Sequence, residues 1–342
     1  MSSPRRNQPI GHWTDGDQVQ GYAFLAVKEL RQDRSGNRYL HLELCDASGR
    51  IQGKAWSDSP ALGSDFEATD YVAFDGLVQS YRNQLQLNVR RCRRVRAEDR
   101  EYGFDEAGLV PTTKEDLDDL WRRLLALLQR EIHRPELDRL VRHTLAEHGE
   151  ALRVHPAAKT IHHAYRGGLL EHVVSMLELA VAVCDHYRDL DREIVLVAIL
   201  YHDLGKILEL GAMPANDYTP AGRMVGHVVL GRDLLREACA AVGIVPAEQR
   251  LHLEHLILSH QGRKEWGSPV EPMTREALVV HYVDDLDSKL AQLRQAQEQG
   301  GGFRFLPPLG RFVYLGEEVA GVGADEEPAA AAPVLEPTLF DD

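Results

Sequence analysis

The sequence predicts a multidomain chain: a small all-β barrel, then an all-α domain, then an acidic tail without fixed structure. Three observations carry this. Between about residues 18 and 95, apolar and polar side chains alternate in short runs broken by turn residues, which is the pattern of strands. From about residue 113 onward, apolar residues instead recur at three- and four-residue spacing, the pattern of helices. From Glu317 the chain carries eight acidic residues and no basic one, with a run of alanines and prolines, a composition that cannot bury enough apolar surface to fold. The length of 342 residues, 44% hydrophobic and 27% charged, suits two globular domains better than one.

The strand runs read VQGYAFLAVKEL, RSGNRYLHLELCD, SGRIQGKAW and DYVAFDGLVQSYRNQLQLNVRRCRRV. Ser35-Gly36-Asn37 and Ser48-Gly49 lie between them, where glycine is expected to take the positive φ of tight hairpins. About five strands in this length, with one longer connection over 57–69, predict an OB-fold, a five-stranded Greek-key barrel, over residues 13–96. Residues 97–112 are polar, contain Gly103, Gly108 and Pro111, and read as a linker.

Thr112 or Thr113 is the expected cap of the first helix, in which Leu117, Leu120, Trp121, Leu124, Leu125 and Leu128 form an apolar stripe. Further helices are predicted from Pro135 to Glu147, Gly168 to His186, Asp191 to Asp203, Gly222 to Val242, Ala247 to Ser259 and Thr274 to Gln299. No strand is expected in this helical domain, 113–316, and residues 317–342 are the disordered tail.

Charge separates the halves. Residues 1–100 hold 15 Lys+Arg against 13 Asp+Glu, leaving 24 against 40 for the remainder and a net charge of −14. An acidic chain does not coat nucleic acid indiscriminately, but a locally basic surface in the first half and metal-binding carboxylates in the second are both compatible with it. The longest apolar runs are far short of the ~20 residues that span a bilayer, and MSSPRRNQPIGHW has no apolar stretch behind its arginines, so no membrane role and no secretory leader are expected. Cys45, Cys92, Cys184 and Cys239 make no C-x-x-C pair, which argues against disulfides and thiolate zinc and for a reducing cytoplasm.

Sixteen histidines, most of them between His133 and His281, make a cation site the first thing to look for. His202-Asp203 is the sharpest feature: it closes the apolar run Ile194 to Tyr201, so a buried element delivers a neutral nitrogen and an anionic oxygen to one place. Gly205 permits a close turn there, and Lys206, three residues past Asp203, points to the same side and can face an anion. Imidazole and carboxylate ligands without thiolate suit Mn, Mg, Co, Fe or Ni in an open site, and such sites hydrolyse phosphoesters.

The fragments GGLLEHVVSM, LYHDLGKI, MVGHVVLGRDLL, LSHQG and HYVDDLDSKL place His172, His202-Asp203, His227, His260 and Asp284 in an order that resembles the H...HD...D pattern of HD-domain metal phosphohydrolases. The flanking words, from WTDGDQVQGYAFL to GSPVEPMTREALVVHYVDDLDSKL, resemble the YhaM-type 3'-5' exoribonucleases, in which an OB-fold precedes the HD domain. The resemblance covers roughly residues 13–315. It implies His172, His202, Asp203 and Asp284 as primary ligands, His227 and His260 as ligands of a second ion bridged by Asp203, and Lys206 as the group that steadies the phosphate. It also implies a divalent cofactor, Mn first, and single-stranded RNA as partner, with single-stranded DNA a second candidate and self-association left open. Relatives with two-metal sites often carry His-His where this chain reads His260-Gln261. A carboxamide is a poor ligand, so one tight site is expected and the second is open.

Other histidines are read more plainly. His143, His148, His186 and His252 are taken as packed or solvated, and His255 as core or as support for a ligand. His162 and His163 are candidates for contact with a substrate phosphate. Asp287, one turn beyond Asp284, is placed to orient a ligand, whereas Asp285 points away. In the barrel, Arg90, Arg91, Arg93, Arg94 and Arg96 form a basic run on the last strand. Tyr39, Trp56, Tyr71 and Tyr81 could stack on bases, and of all these Tyr39, Trp56, Tyr81, Arg91 and Arg93 are the expected nucleic-acid contacts. Two rivals stand beside the exonuclease. One is a nucleotide phosphohydrolase or cyclic-nucleotide phosphodiesterase using the same ligands, although the chain lacks the G-Y-P triplet of the cyclic-dinucleotide branch after His260. The other is a catalytically inactive RNA-binding protein.

Overall fold

The structure, a computed structural model, describes residues 5–33, 36–56, 65–81, 84–159, 164–211, 213, 216–298 and 300–317. The expected disordered stretch beyond 317, most of the 57–69 connection, and Ser35 lie outside these.

Five strands form the barrel: β1 (Gln18–Gln32), β2 (Arg38–Asp46), β3 (Gly49–Ala55), β4 (Tyr71–Tyr81) and β5 (Gln84–Arg94). β1 pairs antiparallel with β2 and, through its first half, with β4; β2 pairs with β3, β3 runs parallel to β5, and β5 returns beside β4. The sheet therefore closes on itself as an OB-fold. Alternation decides the inside: Leu40, Leu42 and Leu44 of β2, Ile51 and Ala55 of β3, Val72, Phe74 and Val78 of β4, and Leu87 and Val89 of β5 are buried together with Phe66. Ile10 and Trp13 join this core, and the segment Arg5–Arg6 adds a short parallel strand to β1.

The two expected hairpin glycines differ. Gly36 has φ +83, but Gly49 is not at positive φ. Its turn is instead held by Asp46, whose Oδ1 accepts from the amides of Ser48 and Gly49 at 2.7 and 3.0 Å.

Residues 97–112 are tied down rather than loose. Asp99 is buried and accepts from the Arg93 guanidinium at 2.6 and 2.7 Å and from the Arg96 amide at 2.7 Å. Phe104 packs edge-on against Tyr22 and Tyr71, at 5.4 and 5.7 Å between centroids.

Nine helices follow among the described residues: α1 (Leu117–Glu131), α2 (Pro135–Val154), α3 (Gly168–His186), α4 (Arg192–His202), α5 (Lys206–Glu209), α6 (Pro220–Met224), α7 (His227–Val242), α8 (Ala247–Ser259) and α9 (Arg275–Glu298). α4 is the axis, since every residue from Ile194 to His202 is buried. Such an all-round apolar helix is stable only inside a bundle, and residues of α1, α2, α3, α7, α8 and α9 share its core. No helix among the described residues is long and apolar enough to cross a membrane.

Three expectations are corrected. The cap of α1 is Asp116, whose carboxylate accepts from Asp119 N at 2.8 Å. Thr113 is occupied elsewhere, its hydroxyl donating to Glu171 at 2.5 Å. The helix expected over 222–242 is two, broken at Gly226 with φ +82. A hairpin also follows α9, β6 (Phe303–Leu306) with β7 (Arg311–Tyr314), where no strand was expected.

The chain divides into two compact units, 1–288 and 289–342. The second holds the end of α9 and the β6–β7 hairpin, whose cross-strand pairs Phe303–Tyr314 and Phe305–Phe312 put four aromatic rings on one face.

Candidate metal centre

Five elements bring ligand-type side chains to the end of α4. His202 is its last residue and Asp203 its C-cap; His172 comes from α3, His227 opens α7, His260 caps α8, and Asp284 lies on α9. Gly205 makes this convergence possible, though not through a special φ. A Cβ there would lie 2.0 Å from the carbonyl oxygen of His227 and 2.5 Å from the amide of Gly231. The glycine is needed for the close approach of α7, where the sequence suggested a turn.

Asp203 is the hub. Its Oδ2 lies 3.4 Å from Nε2 of His202 and 3.8 Å from Nε2 of His172, while its Oδ1 lies 3.4 Å from Nε2 of His227 and 3.8 Å from Nε2 of His260. The donor atoms of His172, His202 and Asp203 fall within 4.8 Å of one another, as do those of Asp203, His227 and His260. Asp284 Oδ1 adds to the first set, 3.3 Å from His172 Nε2. Lys206 Nζ sits 2.5 Å from Asp203 Oδ2.

The opposite edges of the four imidazoles are already engaged. Nδ1 of His202 donates to Ile199 O at 2.7 Å and Nδ1 of His260 to Ile257 O at 2.7 Å. Nδ1 of His172 donates to Asp287 Oδ2 at 2.7 Å, and Nδ1 of His227 to Glu209 Oε1 at 3.1 Å. These bonds fix the rings so that all four Nε2 atoms point inward, the arrangement that metal-ligating histidines need. With two carboxylates and no thiolate, this donor set fits a divalent cation of the Mn, Mg, Co, Fe or Ni kind.

The electrostatics divides the histidines. Burial, reinforced by neighbouring His202, pulls His260 down to about 4, which keeps it neutral at pH 7. Burial would also lower His172, but the carboxylates of Asp284 and Asp287 outweigh it and push it up to about 9. Burial works to raise Asp203 and Asp284, yet Lys206 and His202 around the first, and His172 and His202 around the second, hold both well below the usual carboxylate range.

Not every expected residue joins the centre. His255 accepts at Nε2 from the amide of Met273 at 3.0 Å, so its nitrogen is committed to the α8–α9 connection. His162 and His163 lie outside the described residues. Gln261 does reach the second set, its Nε2 lying 3.3 Å from Nε2 of His227. Glu209 was missed. It takes both the amide and Nδ1 of His227, and its only sequence signal is its place one turn after Lys206.

The barrel gathers three of its expected residues around one cation. Tyr39 and Trp56 pack at 5.2 Å, and Lys54 Nζ lies 5.5, 5.9 and 5.4 Å from the rings of Tyr39, Trp56 and Tyr81. These residues stand on β2, at the end of β3 and at the end of β4, on the face and loop that OB-folds use for oligonucleotides. Lys54 was not singled out from the sequence. The arginine run is another matter: Arg91 is bound to Asp75, Arg93 to Asp99 and Arg94 to Asp70. Arg93 in particular braces residues 97–112. Tyr71 packs against Phe24 and Phe104.

Family models agree with this division. Residues 169–289 match the HD domain, residues 26–95 match the OB-fold nucleic acid binding domain, and residues 109–190 match a model described as "Putative helicase". Among solved structures, the second OB-fold domain of replication protein A from Methanococcus maripaludis is 17% identical, with 27% of this chain and 95% of that one covered, at a TM-score of 0.23. A replication protein A heterotrimer bound to single-stranded DNA is 16% identical over 28% of this chain and 75% of that one, at 0.20. Asparaginyl-tRNA synthetase from Entamoeba histolytica is 13% identical over 44% and 37%, at 0.23. The chain thus joins an OB-fold nucleic-acid-binding domain to an HD-domain phosphohydrolase with a clustered His/Asp metal site.

Proposed function

We propose that the chain is a metal-dependent 3'-5' exoribonuclease that hydrolyses phosphodiester bonds of single-stranded RNA to nucleoside monophosphates, with single-stranded DNA as a second substrate. The observation that carries the reading is the division of the Asp203 carboxylate between two histidine sets. His172, His202, Asp203 and Asp284 would hold one tight ion, and Asp203, His227 and His260 a weaker second one.

A divalent cation there, Mn first, supplies Lewis acidity toward a phosphoryl oxygen and makes water a nucleophile near neutral pH. The chain's own residues do the rest. Lys206, with 14% of its side chain exposed, places a cation where the anionic phosphate arrives. Asp287 and Glu209 hold two imidazoles in orientation. Lys54, with Tyr39, Trp56 and Tyr81, retains the single strand by stacking and charge, which a mononucleotide substrate would not require.

The test is incubation of the purified protein with 3'-labelled and with 5'-labelled single-stranded RNA, with and without Mn. Stepwise shortening of the 5'-labelled strand and immediate release of labelled mononucleotide from the 3' end are expected. Internal cuts, or hydrolysis confined to free nucleotides, would replace this reading with an endonuclease or the small-molecule enzyme.

A further inference from the structure

Beside the metal centre lies a group of side chains that neither the ligand set nor the barrel uses. Tyr218 follows α5, and its backbone forms an antiparallel bridge with Leu210, the residue after Glu209. The amide of Gly211 donates to Asp217 O at 2.7 Å and that of Thr219 to Glu209 O at 2.9 Å, so the loop is laced to α5 on both sides of Tyr218. One helical turn separates Lys206 from Leu210, and opposed strand residues lie about 5 Å apart, which puts the Tyr218 backbone within roughly 11 Å of Lys206.

Two cations flank the ring. Lys159 Nζ lies 5.6 Å from its centroid and Arg223 Cζ also 5.6 Å. Both also reach Asp217, at 2.7 and 3.3 Å. One carboxylate between two cations leaves a net positive charge, and Tyr218 remains 41% exposed. The arrangement is built from beneath. Asn216, only 1% exposed and at the positive φ of 42° unusual for a non-glycine residue, donates through Nδ2 to Ala158 O and Lys159 O at 2.9 and 3.0 Å. It thereby bolts the segment bearing Lys159 to the loop bearing Tyr218. That segment begins at His155, whose carbonyl accepts at 3.0 Å from the amide of Leu169, in the first turn of the helix that carries His172.

An aromatic ring with surplus positive charge, tied by hydrogen bonds to the helix that carries Lys206, matches one nucleotide: a base for the ring and a phosphate for the cations. We propose that Tyr218, Lys159 and Arg223 form a nucleotide subsite next to the metal centre, in which Tyr218 stacks on a base within two nucleotides of the scissile bond and the cations take the adjoining phosphate. This rests on the substrate being a single-stranded nucleic acid.

The test separates the two claims. In the full chain with the barrel face quietened by Tyr39→Ala and Trp56→Ala, a 5'-fluorescein trinucleotide RNA is titrated in EDTA and followed by anisotropy, so binding is read without turnover. Tyr218→Leu is expected to raise Kd about tenfold, and Tyr218→Trp to restore it, as stacking demands. Arg223→Gln should reduce the slope of log Kd against log salt by about 0.7, the loss of one phosphate contact on a single strand. An unchanged Kd in Tyr218→Leu, failure of Tyr218→Trp to restore binding while the protein melts normally, or no trinucleotide binding at all would overturn the subsite. The products from labelled RNA decide the exonuclease reading independently.

Discussion

Nδ1 of His172 donates to Oδ2 of Asp287 across 2.7 Å, and the other oxygen of Asp287 is taken by the hydroxyl of Ser175 at 2.5 Å. A carboxylate held from both sides in this way sets the imidazole's orientation and raises its basicity without touching the ion. Asp287→Asn should therefore keep the fold while weakening the first metal site about 10- to 100-fold. Mn titration by calorimetry reads this directly, and an unchanged affinity would show that His172 needs no such support.

Asp203 touches both donor sets, so Asp203→Ala should abolish hydrolysis and most metal binding, with helical circular dichroism retained. His202→Ala should behave similarly. Full activity in the purified, metal-saturated Asp203→Ala protein would end the HD-hydrolase reading.

On the barrel, Trp56→Ala should weaken binding of a single-stranded oligonucleotide by about 1–3 kcal/mol, the worth of one stacked base, at any sequence. Lys54→Ala should also flatten the salt dependence. Point variants are the sound test, because deleting the barrel would strip Asp99 and Phe104 of the partners they pack against. Affinity indifferent to both substitutions would move the nucleic acid to another face.

The Arg93–Asp99 pair predicts a pH effect on stability. The Arg93 guanidinium, against the opposing effect of burial, holds the Asp99 carboxyl down at about 2, below its ordinary 3.8. A depressed folded-state value means that the contribution is complete above the unfolded value and is lost as pH falls through about 2. It amounts to roughly 1–2 kcal/mol once screening at the half-exposed guanidinium is allowed for. Asp99→Asn should accordingly unfold at lower urea than the parent at pH 7, with the gap narrowing toward pH 2. A gap that does not change with pH would assign the loss to packing alone.

These residues also show what could be read from the chain itself. His202-Asp203 was visible because the two ligands are adjacent and close an apolar helix, and burial of α4 then forces them inward. The strands of the barrel were visible through alternation. What escaped depended on competition between distant groups. Thr113 is drawn instead into a contact with Glu171, 58 residues on, and accepts from the amide of Glu115, while α1 starts later, behind Asp116. Arg91, Arg93 and Arg94 of β5 look free in sequence because Asp75, Asp99 and Asp70 that neutralise them come from β4, the segment after β5 and the flank of β4. Lys54 gained meaning only when β3 brought it among three rings. The β6–β7 hairpin did alternate, Phe303 with Phe305 and Phe312 with Tyr314, but four-residue strands around Pro307 and Pro308 give a weak signal.

Gln261 bears on the number of ions. Its carboxamide nitrogen lies 3.3 Å from Nε2 of His227, the atom that a second ion would need, and so donates to the lone pair that the metal would otherwise take. Glu209 holds the other edge of that ring and prevents it from turning away. The second site therefore begins with one of its two imidazoles engaged, which should leave a single tightly held ion after purification and a second entering only at raised Mn. Gln261→His removes the competing donor and adds a neutral imidazole, a far better ligand for such ions, so the second binding step should tighten by at least about tenfold and activity should saturate at lower Mn. Metal analysis after dialysis and an activity titration decide between the outcomes. Two ions surviving dialysis in the unmodified protein, or an unaltered second step in Gln261→His, would mean that the second site draws on ligands other than His227 and His260.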